Sequence, residues 1–145
     1  MIRIISPGRT KNPAIRMLEE DYIKRISRFH RINLVYPDVR LSGKMPVDII
    51  LKREEEVIRK YLKGRFIVLD VHGVRMSTGE FAGWLGRNLS GTLDFVIGGP
   101  WGVSSQLKEE ASLLLSLSDM IFSHELVRVM LLEQIYRAFF PTFNK

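Results

Sequence analysis

Cysteine is absent from all 145 residues. That removes disulfides, thiolate nucleophiles and every cysteine-ligated zinc or iron–sulfur site, and it fits a reducing cytosol. Long apolar runs are also missing: none exceeds four residues, as at 66–69, so no segment reads as a membrane span. The opening Met-Ile-Arg-Ile-Ile-Ser-Pro-Gly is too short an apolar stretch for a secretory signal. Histidine occurs only at His30, His72 and His124, too widely spaced for a metal motif, so no metal is expected. No G-x-G-x-x-G, no G-x-x-x-x-G-K-[ST] and no G-x-S-x-G appears, which leaves the common dinucleotide, phosphate-loop and serine-hydrolase signatures unfilled.

What is present describes one globular domain spanning 1–145. The chain is 46% hydrophobic and 26% charged, and its length suffices to bury a core without metal or disulfide staples. The net charge of +6 is unevenly placed. Residues 1–31 carry eight basic side chains against three acidic ones, whereas 32–145 carry 14 against 13. Clustered Arg and Lys attract polyanions through counterion release, so nucleic acid is the leading partner class, against the plainer reading of a solvated basic helix.

Strand and helix patterns alternate along the chain. Residues 2–5 read as a strand, and Asn12-Pro13 starts a helix whose apolar face is Ile15, Leu18, Tyr22, Ile26 and Phe29. A second strand at 32–36 precedes a helix bearing Val47, Ile50, Leu51, Val57, Ile58, Tyr61 and Leu62. The Lys-Arg-Glu-Glu-Glu run at 52–56 reads as its solvated face. A strand at 66–71 has the pattern of one buried on both sides. Ser77-Thr78-Gly79-Glu80 is a capping box. A strand at 94–97 runs into Gly98-Gly99-Pro100-Trp101-Gly102, Ser104 caps a helix extending to about Leu114, and 115–122 reads as a last strand. Ser123 caps a final helix facing inward through Val127, Met130, Leu131, Ile135 and Ala138. Repeated β-then-α units predict an α/β fold with a mostly parallel sheet flanked by helices.

Ligands in such folds bind beyond the carboxyl ends of the strands. The qualifying segments are 70–75, 98–102 and 117–123, and the glycines of 98–102 also read plainly as a tight strand-to-helix turn. His72 and His124 each follow such a strand and serve either the site or the packing. His30, at a helix end, reads as structural or solvent-facing.

Three blocks together resemble the RlmH family of SPOUT-class methyltransferases. They are Phe95-Val96-Ile97-Gly98-Gly99-x-x-Gly102, Leu115-Ser116-Leu117-Ser118-x-Met120-x-Phe122-x-His124, and Val127-Arg128 with Leu132-Glu133-Gln134-Ile135-Tyr136-Arg137-Ala138. Gly8-Arg9-x-Lys11 and Leu69-Asp70-x-x-Gly73 fit as well. The resemblance implies methyl transfer from S-adenosylmethionine to the N3 nitrogen of a pseudouridine in 23S ribosomal RNA, by a cytoplasmic homodimer with a C-terminal trefoil knot. It places the methyl donor on Leu69, Gly98, Leu117, Ser118, Asp119, Met120, Ile121 and Phe122. His124 and Arg128 are then the candidate catalytic residues, with Arg9 and Lys11 holding RNA. The family's usual Tyr-His-(Arg or Lys) ending is replaced by Phe143-Asn144-Lys145. A non-catalytic, ribosome-associated RNA-binding protein of the same fold is therefore the alternative, and an α/β enzyme acting on a small nucleotide is a third.

Overall fold

A computed structural model describes residues 1–140. Its elements are β1 Ile2–Ile5, α1 Pro13–Ile26, β2 Ile32–Val35, α2 Val47–Tyr61, β3 Phe66–Arg75, α3 Thr78–Arg87, β4 Leu93–Val96, α4 Ser105–Glu110, β5 Leu113–Ser116 and α5 His124–Ala138. The five strands form one sheet in the order β2-β1-β4-β3-β5, and every pairing is parallel.

Right-handed crossovers decide which helix covers which face. The connections β1–α1–β2 and β3–α3–β4 step one way along the sheet, whereas β2–α2–β3 and β4–α4–β5 step the other way. The helices α1 and α3 therefore share a face opposite α2 and α4. The pleat follows suit. Ile4, Ile67 and Phe95 join the core with Ile26, Phe81 and Leu85, whereas Ile5, Val68 and Val96 pack with Ile58 and Leu107. On the first face α5 lies between α1 and α3, burying Leu131, Leu132, Ile135 and Ala138. Because β5 is the far edge strand, segment 117–123 must cross the link between β3 and α3 to bring α5 there.

Local signals hold at several starts. Asn12 accepts a hydrogen bond from the Ala14 N–H with Pro13 at the first helical position, and both halves of the Ser77–Glu80 capping box form. Other expectations are corrected. The fourth helix stops at Glu110 and the last strand is Leu113–Ser116, so 117–122 is loop and not strand. The third strand does not end at Val71 but reaches Arg75, with an irregularity between Leu69 and Val74, because Gly73 lets the Leu114 backbone come so near that a Cβ would lie 2.5 Å from its carbonyl. Leu18 is 46% exposed, and Glu19 is buried in its place. The run at 52–56 is not wholly solvated, since Glu54 is buried.

Part of the N-terminal charge is internal. Arg3 pairs with Asp94 directly across β1 and β4, at 2.7 Å, and also bonds the Tyr61 carbonyl. The basic groups left at the surface near the strand ends are Arg9 and Lys11 on the loop after β1.

Candidate active site

The expected donor residues lie within β3, before its irregularity, and beyond the carboxyl ends of β4 and β5. Leu69 is the last residue of β3 before its irregularity, half-buried and paired with Leu115. Beyond β4 the chain makes a tight turn in which the Gly102 N–H donates to the Gly99 carbonyl at 3.0 Å. Gly102 sits at φ +83°, and Gly98 is so close to it that a Cβ would lie 2.2 Å from the Gly102 oxygen. Gly98 is thus required first by the turn itself. On the other side of this turn, a Cβ on Gly99 would lie 2.8 Å from Glu54 Oε2. Glu54 is 5% exposed and its Oε1 has no hydrogen-bond partner, so burial raises its carboxyl to about 7.

Segment 117–123 is held by its serines. Ser116 Oγ donates to the Ser118 carbonyl at 2.9 Å, and Ser118 Oγ accepts from the Met120 N–H at 3.0 Å. Asp119 pairs with Arg75 at the surface. Leu117 lines a cavity of about 430 Å³ shared with Met76, Phe81 and Met130. Met120, Ile121 and Phe122 are exposed, Ile121 by 86%. An apolar, solvent-facing loop is suited to a flat, uncharged ring such as adenine, read by backbone groups between apolar side chains.

The N-terminus of α5 gathers the remaining candidates. Ser123 caps the helix through the Leu126 N–H, and His124 is its first residue. The half-buried imidazole is pushed below its ordinary value by burial first, with the charges of Arg128 and Lys11 adding and Glu125 opposing. Burial and the neighbouring cations thus favour its neutral form. The Glu125 carboxylate accepts the backbone N–H groups of Lys11 (3.0 Å) and Asn12 (3.3 Å), which clamps the basic loop against this helix end.

Arg128 is fully buried. Its guanidinium donates to Ser6 Oγ, Thr10 Oγ1 and the carbonyls of Pro7 and Gly8 at 2.7–3.0 Å, and lies 5.0 Å from the centre of the Tyr36 ring. Thr10 in turn donates to the buried Glu19, as does the Tyr36 hydroxyl. Burial, and next the bond to Glu19, push Tyr36 up to about 12. The structure thus brings His124, Arg128, Arg9 and Lys11 to one place, with Arg128 spent on the loop that bears the other two basic residues.

A family model described as "Predicted SPOUT methyltransferase" matches residues 1–142. The chain belongs to the SPOUT methyltransferase family. Two relatives share the name "Ribosomal RNA large subunit methyltransferase H". The one from Caldicellulosiruptor saccharolyticus is 38% identical over 96% of this chain and 94% of its own. The one from Clostridium kluyveri is 39% identical over 95% and 92%. Among solved structures, a putative RNA methyltransferase from Bacillus anthracis superposes with a TM-score of 0.55 at 17% identity, covering 95% of this chain and 94% of that one. A tRNA (m1G37) methyltransferase from Aquifex aeolicus gives 0.57 at 16%, covering all of this chain and 72% of its own. These two likenesses bear on the SPOUT fold alone.

Within this SPOUT chain, His72 is exposed on the β3 irregularity, and His30 stacks on Phe139 at 5.9 Å with its Nε2 unpartnered. The altered ending at 143–145 lies outside the described residues. Among the described residues no cluster could hold a metal ion, and no helix is long and apolar enough to cross a membrane. Sequence reasoning missed Glu54, Glu19, Thr10, Tyr36 and Glu125. A signal existed for the first two: Glu54 lies four residues before Ile58, and Glu19 lies seven before Ile26, each within its helix's apolar stripe.

Proposed function

We propose that this SPOUT methyltransferase moves a methyl group from S-adenosylmethionine to the N3 nitrogen of a pseudouridine in 23S ribosomal RNA. The name shared by its near-full-length relatives supports the ribosomal substrate. The single structural observation that carries the reading is the Glu125 clamp, which sets the basic loop of Arg9 and Lys11 beside His124 at the strand ends. The donor, when bound, supplies an electrophilic methyl on a sulfonium centre. Leu69, the turn at Gly98 and residues Leu117, Ser118, Asp119, Met120, Ile121 and Phe122 hold it, so that donor and acceptor meet in line.

The imide N–H of the acceptor must lose its proton, and the neutral His124 imidazole is the group placed to take it or to orient it. Arg9 and Lys11 neutralise the RNA backbone. Arg128 acts one step removed, as a positioning residue that fixes their loop from inside. Residues 1–145 act as one domain in this reading, in the cytoplasm with the ribosome and as a homodimer. Exposed Met17, Leu126 and Met120 offer apolar surface for a second copy. We place the trefoil knot where 117–123 crosses the link between β3 and α3.

The test is a calorimetric titration with S-adenosylmethionine followed by methyl transfer to ribosomes carrying pseudouridine. Binding with transfer is the expected result. Binding without transfer would leave an RNA-binding SPOUT fold without turnover, and no binding would remove the donor site from these loops.

A further inference from the structure

A second cavity, of about 390 Å³, opens on the outer side of the basic loop, between α1 and the edge strand β2. None of its lining belongs to the donor loops. We infer that this recess receives one unpaired ribonucleotide of the RNA substrate, its phosphate on Arg9 and Arg16 and its base against Ile23, Leu34 and Tyr36. The inference rests on the ribosomal RNA reading above and extends it to a second place of contact.

The chemistry of the walls points to a nucleotide. Arg9 is exposed, and Arg16 gives one guanidinium N–H to the Thr10 carbonyl at 2.8 Å, which aims the rest of its planar fork. Such a fork suits phosphate oxygens. Ile23 and Leu34 are half-buried apolar side chains that line the recess. The Tyr36 ring is fixed because its hydroxyl is bonded to Glu19.

The backbone adds a polar reading edge. Ile2 N–H bonds the Arg31 carbonyl and Ser6 N–H bonds the Val35 carbonyl. Odd-numbered residues of β2 therefore turn their backbone toward β1, leaving the N–H and C=O of Leu34 at the open edge of the sheet. One donor beside one acceptor matches the edge of a base that is not paired elsewhere. The volume lies within the ordinary range of small-ligand pockets, about 300–1,000 Å³, whereas a stacked duplex has no single base to insert.

Two carboxylates also line the recess, and both fit. Glu19 is 2% exposed and takes hydrogen bonds from Thr10 and Tyr36, so it belongs to the floor. Glu20 is exposed at the rim and repels phosphate, which confines that group to the Arg9 and Arg16 side.

The experiment compares three full-length variants for affinity to a single-stranded ribo-oligonucleotide and to S-adenosylmethionine. Arg16→Gln should weaken RNA binding about tenfold. Lys24→Gln, the same charge change elsewhere on α1, should weaken it by less than about twofold at physiological salt. Glu20→Gln should strengthen it, a direction that loosening of the structure would not produce. Donor affinity should stay constant in all three. Equal losses for Arg16→Gln and Lys24→Gln, or no gain for Glu20→Gln, would overturn the recess while leaving the methyltransferase reading intact. Independently of turnover, uridine 5′-monophosphate should shift the amide resonances of Leu34 and Tyr36, and inorganic phosphate should not. Equal shifts from both would reduce the recess to an anion site, and no shift from either would remove it.

Discussion

Glu54 and Arg128 are charged side chains that the fold takes inside, and they lead to opposite expectations. Glu54 has no partner for Oε1, and burial lifts its carboxyl to about 7 from an ordinary 4.5. The folded chain then holds a proton that the unfolded chain has released, so stability is greatest below pH 4.5 for this group. It falls as the pH rises toward 7, by roughly 3 kcal/mol in all. Glu54→Gln removes the penalty. Denaturant unfolding should show the variant gaining over the parent between pH 5 and 8, and parallel pH profiles would refute the buried carboxyl. Arg128 has a partner at each guanidinium nitrogen, and Arg128→Met would strand the Pro7 and Gly8 carbonyls and leave Glu19 without its nearby cation. Breaking such a network costs about 3–5 kcal/mol, measurable as a lower denaturant midpoint together with faster amide exchange in residues 6–12. The pattern of charges did not show the burial of Arg128, whereas Glu54 carried a signal in its place on the apolar stripe of α2. What satisfies Glu19 comes from Thr10 and Tyr36, nine and seventeen residues away, and only the assembled fold brings them together.

At the scale of elements, the turn after β4 separates two reasons for glycine. Gly98 has an ordinary φ but no room, since its Cβ would meet the Gly102 oxygen at 2.2 Å. Gly102 has room but sits at φ +83°. Gly98→Ala should therefore open the turn, lowering the melting temperature and the affinity for S-adenosylmethionine together. Gly102→Ala should cost only the left-handed strain, roughly 1–2 kcal/mol, and keep affinity within a few-fold. Unchanged donor affinity in a folded Gly98→Ala protein would move the donor away from this turn. Helix starts were readable because a cap is local: Asn12, Ser77 and Ser123 each bond within their own first turn. The α4–β5 boundary was not. Leu107, Ala111 and Leu114 continue a helical period, and what breaks it is pairing of Leu113, Leu114 and Leu115 with β3, a contact made across more than forty residues. The same pairing explains why β3 runs on past Val71, since Val74 and Arg75 find partners in Leu115 and Ser116.

For the whole molecule, alternation of strand and helix indicated a parallel α/β sheet, and the motif blocks carried the SPOUT likeness; the strand order itself has no local signature. The net charge of +6 also needed the structure before it meant anything. Arg3 is neutralised inside by Asp94, and Arg25 pairs with Asp21. What remains at the strand ends is the loop of Arg9 and Lys11, clamped by Glu125. That clamp uses the backbone N–H of Lys11 and not its side chain, so truncating Arg9 and Lys11 to Ala leaves it in place. The double variant should keep its melting temperature and its affinity for S-adenosylmethionine. It should lose RNA affinity most at low salt, because each phosphate contact releases condensed counterions. The slope of log affinity against log salt should then shrink by roughly one unit per contact, hence about two. Fluorescence anisotropy with a labelled ribo-oligonucleotide at four salt concentrations reads the slope directly. An unchanged slope with a lower affinity would mean that the two side chains shape the loop without touching phosphate. An unchanged slope with unchanged affinity would return the N-terminal charge to an ordinary solvated surface and shift the RNA path to another face of the sheet.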